Sequence, residues 1–216
     1  MRSEQESSIS RPLTLMLGVN SNLRVLRALV QHGGMLAASQ IVRVSGLSRE
    51  SVRLGLISLE TSGIVVSSGS QHARVHRYND GHWLAPQLTA LFEAERDRFV
   101  AIKDAVRQSA AGMPVFSLFI YGSAARGDDG PDSDLDIGLV AKAENLAEAV
   151  EDVREALREP AEKLGFLPNV VGVDFEDVRR LARDDDPWWK NVKLDAIVLA
   201  GSRPEDVPTL QGPVHG

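Results

Sequence analysis

Residues 115 to 140 read Val115-Phe-Ser-Leu-Phe-Ile-Tyr121-Gly122-Ser123-Ala-Ala-Arg126-Gly127-Asp-Asp-Gly-Pro-Asp-Ser133-Asp134-Leu135-Asp136-Ile137-Gly138-Leu139-Val140. The apolar run from Val115 to Tyr121 predicts a buried strand that delivers the chain into a tight Gly122-Ser123 turn. The backbone N–H groups and hydroxyl of such a turn, at the start of a helix, can face a phosphate. Further on, Leu135, Ile137 and Leu139 alternate with Asp134, Asp136 and Gly138, the period of a strand. Side chains two apart on a strand share a face, so both carboxylates project together while the aliphatic residues enter the core. Two carboxylates so placed repel unless a cation lies between them. Mg²⁺ suits the place, because it takes one or two carboxylates and fills its other positions with water and substrate phosphates. Gly138 on the same face is open to two readings, clearance for a substrate or close packing within the sheet.

The residue types and spacing of Gly122-Ser123-Ala-Ala-Arg126-Gly127 followed by Ser133-Asp134-Leu-Asp136-Ile-Gly-Leu-Val resemble the minimal nucleotidyltransferases of the DNA polymerase beta-like superfamily, which includes the kanamycin nucleotidyltransferases. The resemblance extends over residues 88 to 201. It implies a small domain with a mixed sheet flanked by helices, in which Mg²⁺ assists transfer of a nucleoside monophosphate from a nucleoside triphosphate to a hydroxyl. Gly122, Ser123 and Arg126 would bind the nucleotide, and Asp134 and Asp136 would hold the metals. It also implies a third acidic residue on a later strand. Asn169-Val-Val-Gly-Val-Asp174-Phe offers Asp174, which would join the metal site and assist deprotonation of the attacking hydroxyl; alternatively Asp174 caps the helix that follows. Arg126 likewise has two readings, a triphosphate contact or an ion pair with Asp128, Asp129 or Asp132.

The chain has 216 residues, 43% of them hydrophobic, enough for two small cores. It has no cysteine, which excludes disulfides, thiolate catalysis and cysteine-based zinc sites. No apolar run is long enough to span a membrane and the first residues lack a hydrophobic signal core, so a soluble, cytoplasmic protein is expected. The net charge of −6 conceals an asymmetry: residues 1–82 hold nine Arg, no Lys and five acidic residues, a net +4, against −10 for the remainder. Arginine without lysine suits phosphate and guanine recognition, although a GC-rich genome produces the same bias.

Helical patterns over Asn22 to Gln31, Ala38 to Val44 and Arg49 to Thr61, followed by a hairpin from Ile64 to Tyr78, resemble the winged helix-turn-helix of bacterial regulators. That resemblance puts Ser48, Arg49, Ser51 and Arg53 at the start of a reading helix in the major groove of double-stranded DNA. Leu54, Leu56, Ile57 and Leu59 are expected in its core, and His72, Arg74 and Arg77 of the hairpin on phosphates or the minor groove. The bland alternative is a dimerisation or protein-docking module whose arginines only solvate the surface. The expected class is therefore α+β: an extension (1–19), a winged helix (20–82), a linker helix (83–112) whose first half offers a face for a homodimer, a transferase domain (113–202) and a mobile tail (203–216). Pro160 is expected to kink or divide the long helix from Glu144 to Leu164, and the Trp188-Trp189 pair to pack on the sheet.

Two functions from different classes fit this layout. One is an active nucleotidyltransferase joined to a DNA-binding module; the family resemblance adds that such enzymes are often antitoxins acting on a HEPN-type RNase toxin. The other is a DNA-binding regulator whose transferase-like domain binds nucleotide or a partner without turnover.

Overall fold

Apolar spacing along the first helices accounts for the amino-terminal unit of the computed structural model, which describes residues 12–70 and 73–207. Two units divide the chain, Met1–Arg96 and Asp97–Gly216. In the first, α1 (Pro12–Leu17), α2 (Asn20–His32), α3 (Ala38–Ser45) and α4 (Arg49–Thr61) accompany a sheet of β1 (Leu36–Ala37), β2 (Val65–Ser68) and β3 (Val75–Tyr78). The sheet runs β1-β3-β2, antiparallel throughout. Val25, Leu26, Leu29, Ile41, Val52, Leu59 and Ile64 are wholly buried at its core. Ser48 starts α4 by accepting a hydrogen bond from the Ser51 N–H at 3.1 Å, the N-cap expected of it.

One expectation is corrected here and two details are added. Within the expected extension 1–19, residues 12–17 form α1, and Met16 is buried in the core. Leu54 and Ile57 are not core residues but 52% and 50% exposed. Val52, Leu56 and Leu59, spaced by four and three residues, take the single inward face of α4, and positions 54 and 57 fall outside it. Finally, the short strand β1 joins the expected hairpin as a third member.

Helix α5 (Ala85–Ser109) is shared between the two units' cores: Leu88 and Phe92 belong to the first, Ile102 and Val106 to the second.

In the second unit β4 (Val115–Tyr121), α6 (Gly122–Arg126), β5 (Leu135–Ala141), α7 (Ala143–Leu164), β6 (Pro168–Val173), α8 (Phe175–Arg183), α9 (Pro187–Asp195) and β7 (Ile197–Gly201) follow in order. The sheet is mixed, β6-β5-β4-β7, with β5 and β6 parallel and the other pairs antiparallel. A parallel pair needs a crossover, and α7 supplies it. Leu118, Ile120, Leu135, Ile137 and Leu139 form one core with Val153 and Leu157 of α7 and with Ile102 and Val106 of α5. The alternate residues Phe119, Tyr121, Val140 and Val173 form another with Val178, Trp189 and Val192 from α8 and α9.

Pro160 does not divide α7, which continues from Ala143 to Leu164 and stops at Gly165. Of the expected mobile tail, residues 203–207 are held in place: Val207 is fully buried in the second core and the Arg203 guanidinium donates to the Lys193 carbonyl at 2.6 Å. Residues 208–216 lie outside the described residues. No described helix is long and apolar enough to cross a membrane.

Candidate active site

Tyr121 ends β4 and the chain turns at Gly122, whose φ of 74° lies in the left-handed region that glycine adopts without strain. The turn has a second reason for glycine: a Cβ on Gly122 would come within 2.4 Å of Asp136 Oδ2. The backbone of the Gly-Ser turn therefore rests on the Asp136 carboxylate, joining the two halves of the sequence motif. On the other side Asn169, the register partner of Asp136 across β5 and β6, donates its side-chain amide to Asp136 Oδ1 at 2.9 Å. Tyr121 is the partner of Asp136 across β4 and β5. Burial raises the Tyr121 phenol above its ordinary pKa; the hydrogen bond with Trp188 opposes the rise, and the nearby charge of Asp136 adds to it.

Asp134 stands one residue before β5, exposed, and no hydrogen bond or ion pair engages it among the described residues. Ser123 follows Gly122 in the first turn of α6, and its carbonyl accepts from the Gly127 and Asp128 N–H groups. Arg126 is held on carboxylates: it pairs with Asp195 of α9 at 2.6 Å and with Asp128 at 3.2 Å. Asp128 was among the expected partners, Asp195 was not. Hydrogen bonds to Asp128 and Asp195 raise the pKa of Arg126. Trp189 is buried, as packing requires, and Trp188 meets the Tyr121 ring edge-on with centroids 5.7 Å apart.

Asp174 does not join Asp134 and Asp136. The parallel register pairs Asp136 with Asn169 and Val140 with Val173, so Asp174 lies beyond the opposite end of β6. At about 3.3 Å per strand residue, the five steps from Asn169 come to roughly 16 Å. Asp174 instead caps α8, accepting from the Asp177 N–H at 2.8 Å. Asn169 was overlooked by sequence reasoning because it carries no charge, although it opens the very strand on which a third ligand was sought. Gly138 is likewise explained by packing, for the Phe119 ring fills the space beside it.

The donor set fits one divalent cation. Asp134 and Asp136 offer hard oxygen ligands and a charge of −2, as Mg²⁺ or Ca²⁺ prefers. A cluster of three His, Cys, Asp or Glu residues able to hold a metal does not occur among the described residues.

In the amino-terminal unit Ser48 and Ser51 share a hydrogen bond at the start of α4, and Arg49 is exposed without a partner among the described residues. Arg53 pairs with Glu50 at 2.6 Å, Arg74 with Glu60 at 3.0 Å, and Arg77 with Asp80 at 3.7 Å. Glu60 also holds the buried His76 at 2.8 Å. Arg49, Arg53, Arg74 and His76 line one groove of about 480 Å³ between α4 and the sheet. His72 lies outside the described residues.

Comparison with known proteins bears on the second unit. Residues 101–180 match the sequence model of the family described as Nucleotidyltransferase domain, a span that holds Gly122, Ser123, Arg126, Asp134, Asp136, Asn169 and Asp174. No curated protein matches the chain. Among solved structures, a chain from "Crystal structure of the toxin-antitoxin with AMP-PNP" is 16% identical with a TM-score of 0.31, over 49% of this chain and 77% of that one. Residues 101–180 are thus a nucleotidyltransferase domain, and the match supports a nucleotidyltransferase enzyme.

Proposed function

We propose that the chain transfers a nucleoside monophosphate from a nucleoside triphosphate to an acceptor hydroxyl with the help of Mg²⁺. The observation that carries the reading is the seating of the Gly122-Ser123 turn against the Asp136 carboxylate, which joins a phosphate-facing backbone to a cation ligand in one place. Asp134 and Asp136 would hold the Mg²⁺, which when bound neutralises charge on the reacting phosphate oxygens. Gly122 and Ser123 would orient the triphosphate, and Arg126 would exchange Asp195 for a phosphate oxygen. The acceptor oxygen attacks the α-phosphorus in line, and a new P–O bond forms. The bond from the α-phosphorus to the bridging oxygen breaks, and pyrophosphate leaves. With Asp174 at the far end of β6, the hydroxyl proton passes to solvent by way of the exposed Asp134.

The amino-terminal unit is read as a winged helix-turn-helix that binds double-stranded DNA. Its support is the order of elements: α3, a short turn and the Ser48-capped α4, then the β2–β3 hairpin closed by β1. An antitoxin that modifies a HEPN-type toxin would use both halves, and a toxin hydroxyl is the acceptor to try first.

A second reading is favoured by Asn169, a neutral amide beside Asp136: a DNA-binding regulator that holds nucleotide without turnover. Incubating the purified protein with Mg²⁺, α-labelled nucleoside triphosphates and candidate acceptors separates the two. Label transfer that disappears in Asp134→Ala/Asp136→Ala supports catalysis, whereas retained nucleotide binding with no pyrophosphate release supports the second reading.

A further inference from the structure

We infer that Asn169 limits this site to a single divalent cation and acts as the positioning residue for its ligand Asp136, an inference that rests on the nucleotide-binding reading of the same site. Asn169 stands directly across the parallel pair from Asp136, the place from which a third carboxylate would reach the first two. It brings an amide there instead. The Nδ2 group donates to Asp136 Oδ1 at 2.9 Å, and Oδ2 lies against Gly122, so the carboxylate is fixed from both sides.

Charge sets the stoichiometry. Two carboxylates balance one divalent cation, and a second cation at the site would face an uncharged amide where attraction is needed. Among the described residues no third acidic side chain gathers with the pair: Asp174 caps α8 at the other end of the strand, and no group of three His, Cys, Asp or Glu residues able to hold a metal is formed. The amide has a positive task as well. A hydrogen bond to a metal-binding carboxylate orients it, and loss of such a partner lowers metal affinity by about tenfold or more.

The test counts bound Mn²⁺ by electron paramagnetic resonance on the full chain. A non-hydrolysable nucleoside triphosphate analogue is kept saturating, and Asp134→Ala/Asp136→Ala gives the background of metal carried by nucleotide alone. One Mn²⁺ per chain above that background is expected for the wild type and two for Asn169→Asp. Asn169→Ala is expected to keep one site, weakened about tenfold or more. Two ions on the wild type would overturn the inference, as would a single ion on a folded Asn169→Asp protein or an unweakened site in Asn169→Ala. The wild-type count decides even where a variant does not fold. No binding above background in any form would overturn the underlying nucleotide-site reading along with the inference, a result distinct from a wild type that binds two.

Discussion

Phe119 occupies the space that a side chain on Gly138 would need: a Cβ there would come within 2.2 Å of Phe119 Cζ across the β4–β5 pair. Both residues are buried, and Phe119 is fully so. Gly138→Ala therefore forces the ring out of its place in the second core. Overpacking of this kind costs about 1–3 kcal/mol. Denaturant melts should show a lower midpoint at unchanged slope, and Phe119→Leu in the same chain should recover part of the loss. A Gly138→Ala protein as stable as the parent would restore the substrate-clearance reading of this glycine.

Much of the second unit was legible because its periods are clean. Alternation at Leu135, Ile137 and Leu139 gave β5, and the apolar run before Gly122 gave β4. The site failed at Asp174 for a reason of direction. Asp136 lies near the start of β5, and a helix long enough to cross over makes the next strand parallel, so that strand meets Asp136 with its first residues. The charge in this run, Asp174, stands instead just past the strand's last residue, where a capping Asp is ordinary chemistry. In the first unit, Leu54 and Ile57 were expected inside with Leu56 and Leu59, and Val52 was left out of that face; the burial of Val52, Leu56 and Leu59 leaves Leu54 and Ile57 outward. The pairing of Arg126 with Asp195 had no local signal, since 69 residues separate them.

That pairing makes opposed predictions for two substitutions. If Arg126 leaves Asp195 for a phosphate, Arg126→Ala should weaken binding of a triphosphate analogue about tenfold, the loss of one charge-assisted contact. Asp195→Asn should tighten it, because the guanidinium is then released from its competing partner. Calorimetric titration of the two variants measures both. Equal affinities in all three proteins would mean that Arg126 only ties α6 to α9.

The chain has two tyrosines, and burial raises the pKa of both Tyr78 and Tyr121. The unfolded-state value is about 10. A raised folded-state value means that the folded protein keeps its protons longer, so this part of the stability is complete below pH about 10 and is lost as pH rises through the folded values. Near-ultraviolet titration should show phenolate forming later in the folded chain than in denaturant. Tyr121→Phe should flatten the fall of stability above that pH, and a fall as steep as in the parent would assign it to other groups.

The arginines of the amino-terminal unit predict a graded response in DNA binding. Arg49 is exposed and unpaired among the described residues, whereas Arg53, Arg74 and Arg77 each face a carboxylate. Exposed ion pairs are weak, about 0–1 kcal/mol, so phosphate can compete for these side chains, but only after the pair opens. Arg49→Ala should therefore weaken binding to the DNA upstream of the gene and reduce the slope of log affinity against log salt by about 0.9 if one phosphate contact is lost. Glu50→Gln should act in the opposite sense, because it frees Arg53 and removes a negative charge from the face of α4. Gel shifts over a range of salt concentrations give both values. Should Arg49→Ala and Glu50→Gln leave affinity and salt slope unchanged, α4 is not the helix that meets DNA, and its exposed Leu54 and Ile57 would then favour the protein-docking role that the same sequence allowed.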